Sequence, residues 1–228
     1  MENVVELRGV VAVLGGFPAL AGVDLTVARG EVVLLQGPNG AGKTSVLRVC
    51  AGLLPVERGG GTVLGMDVTS QREAIRSRVG LLGHTNGLYL DLTVTQNIRF
   101  WASTVGATTE EVAAAMARMG LDGRLASVRA DRLSAGQRRR CALASMIVRR
   151  AELWLLDEPH AGLDADGRDL LDDVIRRAVQ SGATVLVASH ELDRAEALAT
   201  RTVTVVGGLV HGDAPAGSHR PALDGAVE

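Results

Sequence analysis

The chain has 228 residues, 46% hydrophobic and 22% charged, which is enough for one large globular domain or one domain with an inserted lobe. Its net charge of −2 gives no electrostatic argument for a nucleic-acid partner. No apolar stretch approaches the ~20 residues of a membrane span, so any spanning part is expected on another chain. The two cysteines, Cys50 and Cys141, lie in apolar helical patterns, and we expect reduced core thiols of a cytosolic protein.

The N-terminal segment predicts a small antiparallel sheet. Apolar and polar residues alternate at 4–7 and 23–27, with glycines and a proline between the two runs. We interpret the three glycines at 59–61 as a flexible turn, followed by another strand of the same sheet at 62–65.

The stretch from 32 to 51 combines a buried strand, a glycine-rich turn and a helix, which is the context of a phosphate-binding loop. Glycines let successive N–H groups point inward, and the helix N-terminus adds partial positive charge. Lys43 is the only lysine in the chain, which argues against an ordinary glycine turn. Its ammonium would reach the β- and γ-phosphates, and the Thr44 hydroxyl would ligate Mg²⁺. The residues that we expect to bind nucleotide here are Gly37, Pro38, Asn39, Gly40, Ala41, Gly42, Lys43, Thr44 and Ser45.

From 93 to 150 the pattern becomes helical and rich in alanine. One helix is predicted at 110–119, capped by Thr108 or Thr109, and another at 136–149. The segment 88–101 holds three of the five aromatic residues. It is either lobe core or a partly exposed groove that receives a helix from a membrane partner.

The C-terminal part predicts a parallel sheet, because buried strands at 153–156 and 184–188 enclose a helix at 168–180. A last strand is expected at 203–206. We therefore expect a single α/β domain with its core at 1–84 and 151–212. A helical lobe would occupy 85–150, and 213–228 would be a loose tail.

Polar residues follow several of these strands, and in a parallel sheet such residues share one edge, where ligands bind. Asp157 fits the carboxylate that holds Mg²⁺, and Glu158 is placed to polarise a water for attack on the γ-phosphate. The alternative for two adjacent acids is the start of a helix. His84 and His190 end two other strands, and we expect His190 near the γ-phosphate.

The small-residue turn at 133–137 leads into a helix, which Ser134 can cap. The functional alternative is a second phosphate-binding helix end. Because the turn lies in the lobe, it would serve the nucleotide of a second subunit. We interpret the three arginines at 138–140 as a solvated or lobe-packing face.

Up to about residue 212, the chain resembles the nucleotide-binding subunit of an ATP-binding-cassette (ABC) transporter. Residues 37–44 match Walker A, Leu153–Glu158 is similar to Walker B, and His190 matches the switch histidine. Asp164 lies in a segment similar to the D-loop. The signature motif, usually LSGGQ, is represented here by Leu133, Ser134, Ala135, Gly136 and Gln137.

The resemblance implies a P-loop NTPase core with a small antiparallel β subdomain and an inserted helical lobe. It also implies a head-to-tail homodimer that sandwiches two ATP molecules with Mg²⁺, with Asp164 acting across the interface. Integral membrane subunits on other chains would be the partners, with no nucleic acid, at the cytoplasmic face of the inner membrane. The implied catalytic residues are Glu158, His190 and His84.

Two departures from the family pattern bear on function. His84 stands where the family has a glutamine that touches Mg²⁺ and the attacking water, and imidazole matches magnesium less well. Leu14 stands where an aromatic ring usually stacks on adenine, so the stacking would be weak or come from Phe17.

The Gly83-His84 pair, the short length and the LSAGQ variant resemble the ATP-binding subunit of the haem exporter of cytochrome c maturation. Small ABC ATPases of multidrug or other exporters show similar features. A soluble ABC ATPase of translation or DNA repair is a further alternative, although those usually have two cassettes or a long coiled coil.

Overall fold

The computed structural model describes residues 2–83 and 85–216. Its strands are β1 (Asn3–Leu14), β2 (Phe17–Ala28), β3 (Val32–Gln36), β4 (Arg58–Val63), β5 (Met66–Asp67), β6 (Val79–Leu82), β7 (Leu153–Asp157), β8 (Thr184–Ala188), β9 (Arg201–Val206) and β10 (Leu209–Pro215). Its helices are α1 (Lys43–Cys50), α2 (Arg72–Arg78), α3 (Val94–Ser103), α4 (Thr109–Arg118), α5 (Ala135–Val148), α6 (Ala165–Gln180) and α7 (Leu192–Glu196). Short 3₁₀ helices occupy Gly123–Ser127 and Ala130–Arg132.

The central sheet has the order β10-β9-β3-β8-β7-β6, and its strands from β9 to β6 are parallel. Strands β3, β7 and β8 are almost continuously apolar, because helices or a second sheet cover both faces. Alternate residues enter different cores. Leu153 and Leu155 pack with α1 and the small sheet, whereas Trp154 and Leu156 pack with α6 and the lobe helices. The predicted α/β core with a parallel sheet is confirmed.

The small sheet has the order β2-β1-β4-β5 and is antiparallel, as predicted for its first two strands. The prediction of a flexible turn at 59–61 is wrong, because these glycines lie within β4, where Gly60 and Gly61 pair with β1. A Cβ on Gly59 would lie 2.2 Å from the carbonyl oxygen of Gly9, and one on Gly61 would lie 1.9 Å from that of Glu6. The glycines therefore let two backbones approach closely.

The lobe contains α3, α4 and α5, and each begins with a capping box. The hydroxyls of Thr93, Thr108 and Ser134 accept from the third N–H of their helices, and Gln96, Glu111 and Gln137 return the contact. Helix α5 also packs against β6, so it joins the lobe to the central sheet. No helix of the described ranges is long and apolar enough to cross a membrane.

The C-terminal strand β10 was not anticipated. Gly207 and Gly208 both have positive φ and form a two-residue turn, which folds β10 back onto β9. Residues 213–215, expected to belong to a loose tail, are therefore paired in a strand. Residues 217–228, the rest of that expected tail, lie outside the described residues.

Candidate functional site

The loop between β3 and α1 curls tightly against neighbouring backbone. A Cβ on Gly37 would lie 2.0 Å from the carbonyl oxygen of Val205, and one on Gly42 would lie 2.9 Å from that of Ala19. Both residues also have positive φ, so only glycine fits there without strain. The Lys43 ammonium folds back over the loop and donates to the carbonyls of Gly37 at 2.7 Å and Pro38 at 3.0 Å.

Thr44 and Asp157 meet at the carboxyl edge of the sheet. The Thr44 hydroxyl donates to Asp157 Oδ2 at 2.9 Å, which joins the start of α1 to the end of β7. A hydroxyl and a carboxylate are oxygen ligands that suit Mg²⁺, so Thr44 and Asp157 are the residues that would hold this ion. Within the described ranges, no group of three or more His, Cys, Asp and Glu side chains could hold a metal ion by itself.

Glu158 and His190 also meet, as the sheet-edge argument predicts. His190 Nδ1 lies 2.7 Å from Glu158 Oε2, and the His190 backbone N–H donates to the same oxygen at 3.2 Å. Glu158 has a φ of 48°, a left-handed conformation that is uncommon for a residue with a side chain. Its backbone N–H donates to the Ala188 carbonyl at 2.8 Å, which ties this turn to β8.

Arg139 is a site residue that the sequence analysis missed. Its side chain is not part of a solvated or lobe-packing face: it is 9% exposed and donates to the backbone carbonyls of Asp157, Glu158 and Ala161. Burial lowers the pKa of its guanidinium, whereas the charges of Asp157 and Glu158 oppose that shift. The lobe-packing interpretation holds for Arg140, which donates to the Met119 carbonyl at 3.1 Å.

These groups surround an open cleft of about 530 Å³. Its lining residues are Leu14, Phe17, Pro18, Ala19, Asn39, Gly40, Ala41, Gly42, Lys43, Thr44, Ser45, Arg48, Arg139, Asp157, Glu158 and Ala161. Phe17 is 77% exposed at its rim, so its ring is free to contact a planar group. His84 lies outside the described residues.

The signature turn and the D-loop line a different cleft, of about 660 Å³. Leu133 is buried behind this turn, whereas Ser134, Ala135, Gly136 and Gln137 line the cleft with Asp164. Ser134 caps α5, and Asp164 caps α6 by accepting from the Gly167 N–H at 2.9 Å. None of the residues from 133 to 137 lines the first cleft, so the two predicted phosphate sites are separate within one chain.

The aromatic residues at 88–101 form an edge-to-face cluster at the surface of the lobe. Tyr89 and Phe100 are 47% and 42% exposed, with ring centroids 4.8 Å apart. Trp101 meets Phe100 edge to face and lies under the Arg149 guanidinium. The interpretation of this segment as lobe core is wrong for Tyr89 and Phe100. Trp101, in contrast, is half-buried against the lobe core.

Sequence comparisons identify the family of this chain. The ABC transporter family profile matches residues 20–161. The cytochrome c biogenesis ATP-binding export protein CcmA of Xanthomonas axonopodis pv. citri is 42% identical over 82% of this chain and 87% of its own. The CcmA protein of Ruegeria pomeroyi is 38% identical over 77% and 79%.

Solved structures show the same fold. An ATP-binding subunit of an ABC transporter superimposes with a TM-score of 0.85 and 25% identity, over 93% of this chain and 90% of its own. The ATP-binding cassette MJ0796, solved as a dimer with ADP and phosphate, superimposes with a TM-score of 0.85 and 22% identity, over 94% and 100%. With a family profile that covers more than half of its length, the chain belongs to the ABC transporter family and is an ABC ATPase subunit.

Proposed function

We propose that this chain hydrolyses ATP with Mg²⁺ as a homodimer and so drives export of haem for cytochrome c biogenesis. The observation that carries the proposal is the Glu158–His190 pair, at the ends of two adjacent strands beside the phosphate loop. The relatives named ATP-binding export proteins of cytochrome c biogenesis support the choice of substrate. Another small-molecule or multidrug exporter is the alternative.

The loop backbone and the N-terminus of α1 hold the triphosphate, with the Lys43 ammonium at the β- and γ-phosphates. Thr44 and Asp157 supply oxygen ligands for Mg²⁺, which neutralises phosphate charge when bound. Phe17, exposed at the rim of the cleft, stacks on the adenine.

Glu158 acts as the general base. Its carboxylate takes a proton from a water whose oxygen attacks the γ-phosphorus in line, and the bond to the bridging oxygen breaks as ADP leaves. His190 orients that carboxylate through the contacts at 2.7 and 3.2 Å. A role for His84 beside this water stays a prediction from the sequence.

The separation of the two clefts supports a head-to-tail dimer. The phosphate loop of one subunit and the signature turn of the other would enclose each ATP, with Asp164 at the interface. In this arrangement each chain contributes to two nucleotide sites, its phosphate loop to one and its signature turn with Asp164 to the other.

The exposed aromatic cluster of the lobe supports a membrane partner. Tyr89 and Phe100 offer apolar ring surface, and a helix end of an integral membrane subunit could cover it. The chain would then work as a peripheral subunit on the cytoplasmic face of the inner membrane.

The test is the Glu158→Gln variant beside wild type and Glu110→Gln, which removes an exposed carboxylate on α4. We expect Glu158→Gln to lose at least ~100-fold in kcat, because the amide cannot accept the proton of the water. ATP binding and an ATP-dependent dimer should persist, and Glu110→Gln should hydrolyse at the wild-type rate. Wild-type turnover by Glu158→Gln would exclude Glu158 as the base.

The substrate is tested by complementation. In bacteria that lack their own cytochrome c biogenesis ATP-binding subunit, the wild-type chain should restore covalent haem on c-type cytochromes, and Glu158→Gln should not. ATPase activity without this restoration would favour the exporter of another substrate.

A further inference from the structure

A partly buried row of ionisable side chains links the turn after β7 to helix α7. His160 Nε2 lies 2.7 Å from Asp172 Oδ1, and Asp172 Oδ2 accepts from Arg194 Nη1 at 2.6 Å. Arg194 also donates to Asp169 at 2.8 Å. His160 is fully buried and Asp172 is 5% exposed, whereas Arg194 reaches the surface. This row of side chains therefore runs from the interior outward across α6, which carries Asp172.

Both ends of this row of side chains lie close in sequence to the Glu158–His190 pair. His160 follows Glu158 by two positions, and Arg194 follows His190 by four. Because Glu158 and His190 touch each other at 2.7 Å, the contacts and the two short backbone segments close a ring. A shift of α7 relative to α6 would therefore displace the backbone next to both Glu158 and His190.

Packing alone does not explain why polar and ionisable side chains occupy this place. A buried carboxylate loses hydration, and its neighbours must compensate for that loss, whereas apolar side chains would fill the same space at no such cost. His160 Nδ1 has no hydrogen-bond partner within the described ranges. The tautomer that fits is therefore the one with its proton on Nε2, which donates to Asp172 and fixes the plane of the ring.

The backbone that this ring anchors is itself strained. Glu158 has a φ of 48°, and such a conformation in a residue with a side chain persists only where surrounding contacts hold it. Arg139 holds the turn from the α5 side through three carbonyls. The side that faces α6 has the buried imidazole of His160 as its anchor.

We propose that His160, Asp172 and Arg194 are positioning residues that hold Glu158 against His190 for ATP hydrolysis. The inference rests on the proposed function, because it assigns the catalytic step to Glu158. The three residues act through the turn and α7, and they do not contact the nucleotide cleft. Their loss should therefore lower kcat and leave the KM for ATP unchanged.

The first test compares Arg194→Met with Arg177→Met. Each variant removes an arginine that pairs with an aspartate of α6, Asp172 for Arg194 and Asp173 for Arg177. Both arginines reach the surface, so neither change opens a buried cavity. We expect Arg194→Met to lower kcat about fivefold with KM within about twofold, and Arg177→Met to match wild type.

The second test separates positioning from packing. His160→Phe keeps a buried ring without the hydrogen bond and should lower kcat about tenfold, whereas His160→Gln keeps a donor and should recover most of that loss. If His160→Phe does not fold, Arg194→Met decides. Wild-type kcat in Arg194→Met, no rescue by His160→Gln, or a parallel rise in KM would overturn the inference alone. Absence of ATPase activity in the wild-type chain would overturn the proposed function and this inference together.

Discussion

Arg139 carries its charge in an almost fully buried place, surrounded by backbone carbonyls of the turn that bears Glu158. A guanidinium suits this place because its planar fork can donate to several oxygens at once. Carbonyls do not neutralise the charge, however, and burial lowers the pKa of the group. Burial of this charge therefore lowers the free energy of unfolding, which indicates that the residue has another role, that of fixing the turn.

We expect Arg139→Met to change activity more than stability. Methionine fills the same space without a desolvated charge, so the free energy of unfolding should change by less than about 2 kcal/mol. The carbonyls of Asp157, Glu158 and Ala161 lose their donor, and kcat should fall at least ~10-fold as the turn loosens. The control is Arg138→Met, at the preceding position. ATPase assays and urea titrations of both variants give the comparison. Equal effects of the two variants would contradict this reading of Arg139.

At the same scale, the sequence predicts which residues lie together when each of them follows a strand. Thr44 with Asp157 and Glu158 with His190 meet as predicted, because parallel strands bring their carboxyl ends to one edge. Arg139 and His160 were not identified. Their roles depend on which carbonyl or carboxylate lies across the core, and no local pattern encodes that neighbour.

At the scale of elements, β4 shows what glycine does inside a strand. Gly61 has a φ of 146°, and an added Cβ would lie 1.9 Å from the Glu6 carbonyl oxygen, so Gly61→Ala must push β4 away from β1. We expect a loss of about 2 kcal/mol or more in the free energy of unfolding, measured by urea titration. Gly60→Ala is the matched control, because its Cβ would meet nothing within 4 Å. A loss of equal size in the control would mean that strand propensity, not close approach, governs the site.

Element prediction succeeded where apolar patterns and caps were strong. Strands β3, β7 and β8 are apolar runs, and α4 begins after its capping threonine, Thr108. It failed where glycine dominates, because glycine signals both turns and close backbone approach. The three glycines at 59–61 predict a turn but lie in β4, and Gly207 with Gly208 forms the hairpin turn that creates β10.

At the scale of the whole molecule, the central sheet separates two cores, and each contains one free cysteine. Cys50 of α1 lies in the core shared with the small sheet, and Cys141 of α5 lies in the core shared with α6 and the lobe. Burial raises the pKa of both thiols to about 12. The thiols therefore stay protonated in the native state at pH values where those of the unfolded chain ionise, about 8.5 to 9.

This difference makes stability fall at alkaline pH. Below about pH 8.5 both states keep the thiol protons, and above it only the unfolded state loses them, so the free energy of unfolding decreases as pH rises toward about 12. Each thiol should contribute a loss of about 1 kcal/mol between about pH 9 and pH 10. Urea titrations at both pH values should show a smaller loss for the Cys50→Ala/Cys141→Ala double variant, in which every other titrating group is retained. Identical losses in wild type and double variant would mean that both thiols ionise in the native state as readily as in the unfolded chain.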